Sequence, residues 1–218
     1  MAASLFDFVS SVTASSLSLP AGIQAGDMAV VFDNALQATT PPTSVYPTAE
    51  GFTALGTSQS VTGGGFGLRF NVSFKELLGT ETTLSVMAGS TSTTKWAIVF
   101  RLPDGQRWGA PILAGQATTF STPPNQTIVP AGGQGVFVAF GDDLSVGGAT
   151  ALVMNPAGTY GTIGSSRAGY LVSDSAPVNN TVSASGTYGS LGSLFLPYYS
   201  LRRPSVGGRQ AVNRAATY

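Results

Sequence analysis

From Phe66 to Lys75 the chain alternates without a break. Phe66, Leu68, Phe70, Val72 and Phe74 fall on one side, and Gly67, Arg69, Asn71, Ser73 and Lys75 on the other. A period of two predicts a half-buried β-strand, with a polar face that presents Arg69 and Lys75 to solvent or to a neighbour. Similar patterning predicts strands at Leu5–Val12, Met28–Phe32, Gly51–Leu55 and Thr82–Ala88. Lys95–Arg101 is almost continuously apolar and is expected to be a central strand. Further strands are predicted at Gly135–Phe140, Thr150–Met154, Arg167–Ser173, Asn180–Ala184 and Ser193–Arg202. Pro197 in the last of these argues for an edge or a bulge, because proline cannot donate to a ladder. No helical period appears; even Lys75–Leu78 is too short.

A local plan recurs. Leu17-Ser-Leu-Pro20-Ala-Gly22 turns the chain, Gly26-Asp27 turns it again, and an apolar run to Phe32 follows. The same order returns at Val129-Pro130-Ala-Gly132, then Gly135 and a run to Phe140. A second echo pairs Trp96–Arg101 with Leu194–Arg202, each an aromatic-aliphatic run closed by arginine. Both a true repeat and chance recurrence of proline-glycine turns are open. Strands about ten residues apart with turn signals between them predict an all-β fold. The expected architecture is a jelly-roll-like antiparallel β-sandwich over residues 1–201, one domain with two related sets of strands. Residues 35–50, with Pro41, Pro42, Tyr46 and Pro47, carry too much proline for a paired interior strand. They are expected to form a long surface loop that contacts partners, with Pro41, Pro42 and Tyr46 as candidates.

Composition narrows the function. The 218 residues suffice for one well-buried core. Charged residues make up only 9%, against roughly 25% in an average domain. Lys plus Arg and Asp plus Glu both number 10, so the net charge is zero. No global field draws the chain to nucleic acid or to an anionic membrane. A weakly charged surface protects poorly against association, which suggests life inside an assembly. Cys and His number 0 each, which removes thiolate chemistry, the commonest general base and the commonest transition-metal ligand. The start of the chain lacks a basic n-region and its apolar run is broken by Asp7, so it does not read as a signal peptide. No window approaches the roughly 18 apolar residues of a membrane span.

Residues 202–218 differ from the rest. They have no strand pattern and no acidic residue, and they hold Arg202, Arg203, Arg209 and Arg214, four of the 10 basic residues. The remaining six basic against ten acidic groups give the body about −4 and the tail +4. The tail is either a frayed terminus or an arm that folds onto an acidic patch of a neighbouring subunit.

Catalytic patterns are sparse. The glycine runs lie between strands, not ahead of a helix as phosphate loops require. Without histidine a serine nucleophile would depend on Lys75 or Lys95, and neither stands in a Ser-x-x-Lys motif. Glu50, Glu76, Asp142 and Asp143 supply no pair that stands out as a glycosidase dyad. No enzymatic activity and no cofactor are expected. Asp142 and Asp143 are weak candidates for holding Ca²⁺ with carbonyls of the Gly147-Gly148 loop, a solvated turn being the plainer reading. Trp108 and Tyr160 are candidate stacking surfaces for sugar rings.

The pattern Leu19-Pro20-Ala-Gly22-Ile-Gln-Ala-Gly26-Asp27-Met-Ala-Val, followed by Gly51-Phe52-Thr, Leu68–Phe74, Gly79-Thr-Glu81 and Trp96–Arg101, resembles a β-sandwich domain of tailed-bacteriophage virion proteins. In that group a proline-x-glycine turn and a glycine-aspartate pair precede a core strand. A glycine-aromatic-threonine strand and a glycine-x-glutamate hairpin follow. Phe52 stands where the group often carries tryptophan. The similarity covers roughly residues 14–201 through short motifs, and it carries no catalytic residue. It implies an accessory or decoration subunit of capsid, tail or neck that acts by binding other virion proteins and itself, localised to the virion. The alternative from another class is a carbohydrate-binding, receptor-binding module.

Overall fold

The computed structural model describes residues 3–11, 15–87, 92–119, 126–128, 134–143, 152–155, 157–163, 166–173, 180–183 and 189–201. The chain is all-β. Its first half contains β1 (Ser4–Ser11), β2 (Ser16–Ser18), β3 (Ala25–Ala38), β4 (Thr53–Ala54), β5 (Gln59–Gly63), β6 (Phe66–Leu78), β7 (Thr83–Ser85) and β8 (Ser92–Arg101). The second contains β9 (Gln106–Trp108), β10 (Ile112–Thr119), β11 (Gln126–Ile128), β12 (Gln134–Asp143), β13 (Val153–Asn155), β14 (Thr159–Ile163), β15 (Ser166–Ser173), β16 (Asn180–Ser183) and β17 (Gly189–Ser200).

Each half builds one large antiparallel sheet and one small one. The large sheets run β1-β8-β3-β6-β4, with β5 also on β6, and β10-β17-β12-β15-β14, with β9 also on β17. The small sheets are β2-β7 and β11-β16-β13. The two large sheets pack face to face, because alternate residues of their strands are apolar on the inward side. Phe32, Phe70, Val72, Trp96, Ile98 and Phe100 of one meet Val138, Phe140, Ala168, Leu194, Leu196 and Tyr198 of the other. The rings of Phe32 and Phe140 stack at 5.4 Å, and those of Phe70 and Phe140 at 5.2 Å. The opposite face of each large sheet is apolar as well, and the small sheets cover it. Ala29, Val31, Ala97 and Val99 pack with Leu17 and Leu84; Phe137, Ala139 and Phe195 pack with Met154 and Val182. The sandwich therefore has four layers.

Three expectations change. The strand expected at Met28–Phe32 runs from Ala25 to Ala38, because Asp33 and Asn34 are buried and bonded rather than marking a loop. The proline-rich segment therefore begins only at Thr39, and it lies down on the sheet. Pro42 and Pro47 are buried, and the backbone of Thr40-Pro41 crosses Gly67 so closely that a Cβ there would lie 1.9 Å from the Pro41 nitrogen. Finally, β17 is an interior strand, with β12 on one side and β10 and β9 on the other. Pro197 is tolerated because β9 ends opposite Tyr198 and β10 begins only opposite Phe195. The missing N–H falls at that seam, where the Gly109 amide still donates to the Pro197 carbonyl at 2.7 Å.

Candidate functional site

The residues of the first copy of the recurring motif hold loops, whereas residues 129–133 of the second lie outside the described residues. Gly22 and Gly26 have φ of 86° and 91°, a region that favours glycine. Between them the Asp27 carboxylate accepts from the Gln24 amide at 2.7 Å and from Arg101 Nε and Nη2 at 2.8 and 2.6 Å. This two-pronged contact ties the turn to the end of β8 and raises the Arg101 guanidinium pKa further. The Gly79-Thr80-Glu81 hairpin closes similarly: Glu81 accepts from the Leu78 and Thr80 amides and pairs with Lys75 Nζ at 2.5 Å. Burial opposes its ionisation, but Lys75 and the amides outweigh that and hold the carboxyl at about 2. Lys75 also donates to the Glu50 carbonyl at 2.7 Å. The Glu50 carboxylate accepts from the Ser85 amide and hydroxyl, both at 2.8 Å. There too the Ser85 bonds outweigh burial and lower the pKa.

A polar row crosses the outer face of the first large sheet under the proline-rich loop. Lys95, Asp33 and Asn71 stand side by side on β8, β3 and β6. Lys95 is 0% exposed, and its Nζ lies 3.2 Å from Asp33 Oδ1. Asp33 Oδ2 accepts from the Met87 amide at 2.6 Å. Asn71 Nδ2 donates to Ser44 Oγ at 3.0 Å and to the Val45 carbonyl at 2.9 Å. Burial raises the Asp33 carboxyl to about 6 against the opposing pull of Lys95 and Met87, and burial lowers Lys95. The polar face of β6 is thus roofed by the chain's own loop rather than presented outward. Arg69 and Lys75 are half-buried and bonded to Ser58 and Glu50.

The sequence candidates separate. In the loop, Pro42 is buried, while Pro41 and Tyr46 are half-exposed; burial, opposed by Arg69, raises the Tyr46 phenol pKa. Trp108 is a core residue, 8% exposed, with its ring edge-on to Tyr198 and its Nε1 donating to the Gly26 carbonyl at 2.9 Å. Tyr160 carries the Arg167 guanidinium 4.7 Å above its ring and lies against Gly169, and its hydroxyl accepts from the Met154 amide. Buried as it is, Trp108 offers no open face for a sugar, whereas Tyr160 is half-exposed. Asp142 is buried and accepts from Asn34 Nδ2 at 2.7 Å, a position inside the molecule rather than in a solvated turn; Asp143 follows it in β12. Among the described residues no group of three or more Asp or Glu could hold a metal ion. Arg202, Arg203, Arg209, Arg214 and the Gly147-Gly148 loop lie outside the described residues.

Two surface features were missed. One is a polar cleft of about 300 Å³ beside the Pro103–Gly105 turn, bordered by Gln24, Glu76, Asp104 and Arg107. The other is apolar. Tyr199, near the end of β17, and Leu201, just beyond it, are 49% and 52% exposed, and Ile112, 43% exposed, lies opposite Phe195 on the neighbouring strand. The cross-strand neighbour of Tyr199 is the exposed Arg107. Among described side chains with a formal charge, only Asp7, Glu76, Asp104 and Arg107 are exposed. The apolar character of Leu194–Leu201 is plain in the sequence, but which of these side chains stay exposed is set by the fold.

Comparison with known proteins found no matching family model, no matching curated protein and no matching solved structure.

Proposed function

We propose that the protein is a structural subunit of a tailed-phage particle, an accessory or decoration component of capsid, tail or neck that acts by binding neighbouring subunits. The observation that carries the proposal is how the charge is spent. Asp27, Asp33 and Glu81 are each paired with a cation inside the fold, while Ile112, Tyr199 and Leu201 are left outside. An exterior with few charges and with exposed aromatic and aliphatic side chains toward one end of β17 suits a contact surface. The virion assignment rests on the sequence resemblance, whose motif residues have the loop-holding roles described above.

The sequence-based expectation is one jelly-roll-like sandwich over residues 1–201; the strand order supports a jelly-roll-like wrap within each half. In the first half the first, eighth, third and sixth strands share the large sheet and the second and seventh the small one, an order similar to a jelly roll, although the fourth and fifth strands join the large sheet. A stable contact between such subunits buries roughly 1,200–2,000 Å². Particles purified on a density gradient and quantified by mass spectrometry test the proposal. The chain is expected in the particle band at a fixed ratio to the major subunit; recovery only at the top of the gradient, with intact particles below, would refute it. The carbohydrate-binding alternative is not favoured by the burial of Trp108, and a glycan array is its direct check.

A further inference from the structure

The two halves repeat one strand plan, with β5 on β6 answered by β14 on β15; they differ at β4, which joins the large sheet, and β13, which joins the small one. The large-sheet order β1-β8-β3-β6 is matched by β10-β17-β12-β15, and the small-sheet pair β2-β7 by β11-β16. If Phe32 of β3 is placed on Phe140 of β12, the strand registers fix every other equivalence. Asn34 falls on Asp142, Phe70 on Ser166, Trp96 on Gly192, Phe100 on Leu196 and Phe74 on Tyr170.

Equivalent residues then meet each other or meet in reciprocal pairs. Phe32 stacks on its own counterpart Phe140. Asn34 Nδ2 donates to its own counterpart Asp142 at 2.7 Å. Only a two-fold axis brings a residue against its own equivalent. To one side of that line Phe70 fills the space over Gly192, where a Cβ would lie 2.7 Å from the ring. At the equivalent contact on the other side Trp96 reaches Ser166, its Nε1 donating to Oγ at 2.8 Å. Large against small is kept at both places, but the large residue changes strand. Further out, Phe100 packs edge-on against Tyr170 at 5.6 Å, and the counterparts Leu196 and Phe74 lie in the same core.

We infer that the inner face of each large sheet is a self-complementary docking surface whose partner is a second copy of the same unit, so that the chain is a symmetric homodimer fused into one polypeptide, its axis running between Phe32 and Phe140. In an isologous interface one patch serves both partners, and a residue on the axis needs a side chain compatible with itself. The Asn34–Asp142 pair is the form such a site takes once fusion frees the two copies to differ, since two aspartates there would repel. The inference is independent of the virion reading and stands or falls separately.

Thermal melting of full-length variants tests it in two places. Exchange across the axis, Asn34→Asp with Asp142→Asn, recreates the same pair with the partners reversed. It is expected to melt within about 3 °C of the unmodified chain, while Asn34→Asp alone, with two buried carboxylates, melts roughly 10 °C lower. Off the axis, Phe70→Ser alone leaves a cavity and is expected to lose roughly 10 °C or more. Adding Gly192→Trp, with Gln116→Ser to copy Ser10 beside Trp96, transplants the packing of the opposite side and is expected to recover at least half of that loss. An exchanged pair as unstable as the sum of its single variants, or a transplant no better than Phe70→Ser, would overturn the two-fold axis.

Discussion

Lys95 and Asp33 show what a single pair does in this fold. Both are buried, and removing one partner leaves the other charge without compensation. Asp33→Asn or Lys95→Met alone should therefore cost about 3–5 kcal/mol, whereas the double variant recovers most of that loss; chemical denaturation of the three proteins checks it. The pH dependence has a definite sign. The Asp33 carboxyl titrates at about 6 in the folded chain against 3.8 for an ordinary one, so the folded state binds the proton more tightly. Its contribution to stability is full below about 3.8 and is lost as pH rises through 6. Glu81, held at about 2, contributes in the opposite direction: its share is present above its ordinary value of 4.5 and is lost as pH falls toward 2. Urea midpoints of Asp33→Asn should lack the first slope, and those of Glu81→Gln the second. Tyr199→Ser and Leu201→Ser remove exposed side chains, so each should change stability by less than about 1 kcal/mol while lowering recovery in the particle band severalfold.

At the scale of elements, β6 was legible because Phe66–Phe74 alternate over its length, and the central place of β8 followed from its unbroken apolar run. Others misled for physical reasons. Asp33 and Asn34 look like a strand end, but Lys95, Met87 and Asp142 satisfy them, so β3 continues to Ala38. Pro197 looks like an edge, but its missing donor falls between two short partner strands. Trp108 looked like a platform for sugars because sequence does not reveal which aromatic a neighbouring strand will cover. The prolines mark the segment from Thr39 as irregular, yet nothing local shows that Gly67 and Asn71 hold it down. Gly67→Ala tests that docking. Because the obstruction is the backbone of Thr40-Pro41, the loop must lift, at a cost of about 1–3 kcal/mol. Faster amide exchange over residues 39–46, with the strands of the second half unaffected, is the expected result.

For the whole molecule, the shared core matters most. Phe32, Phe70 and Trp96 from the first half and Phe140 and Leu194 from the second belong to one cluster, so each half, despite the smaller core under its own small sheet, closes the inner face of its large sheet only against the other. Calorimetry should record one cooperative transition with van't Hoff and calorimetric enthalpies in agreement; two separable peaks would mean that the halves fold independently. The fold places its paired charges at turns and under a loop, and it leaves an apolar strip at the end of β17. Binding is the activity that this distribution supports. The most direct measurement is rebinding: purified protein titrated onto particles assembled without it, with bound chain quantified after sedimentation. The account predicts saturation at a fixed copy number with micromolar or tighter affinity, weakened by Tyr199→Ser. Non-saturating or absent binding at tens of micromolar, with the protein folded, would contradict it.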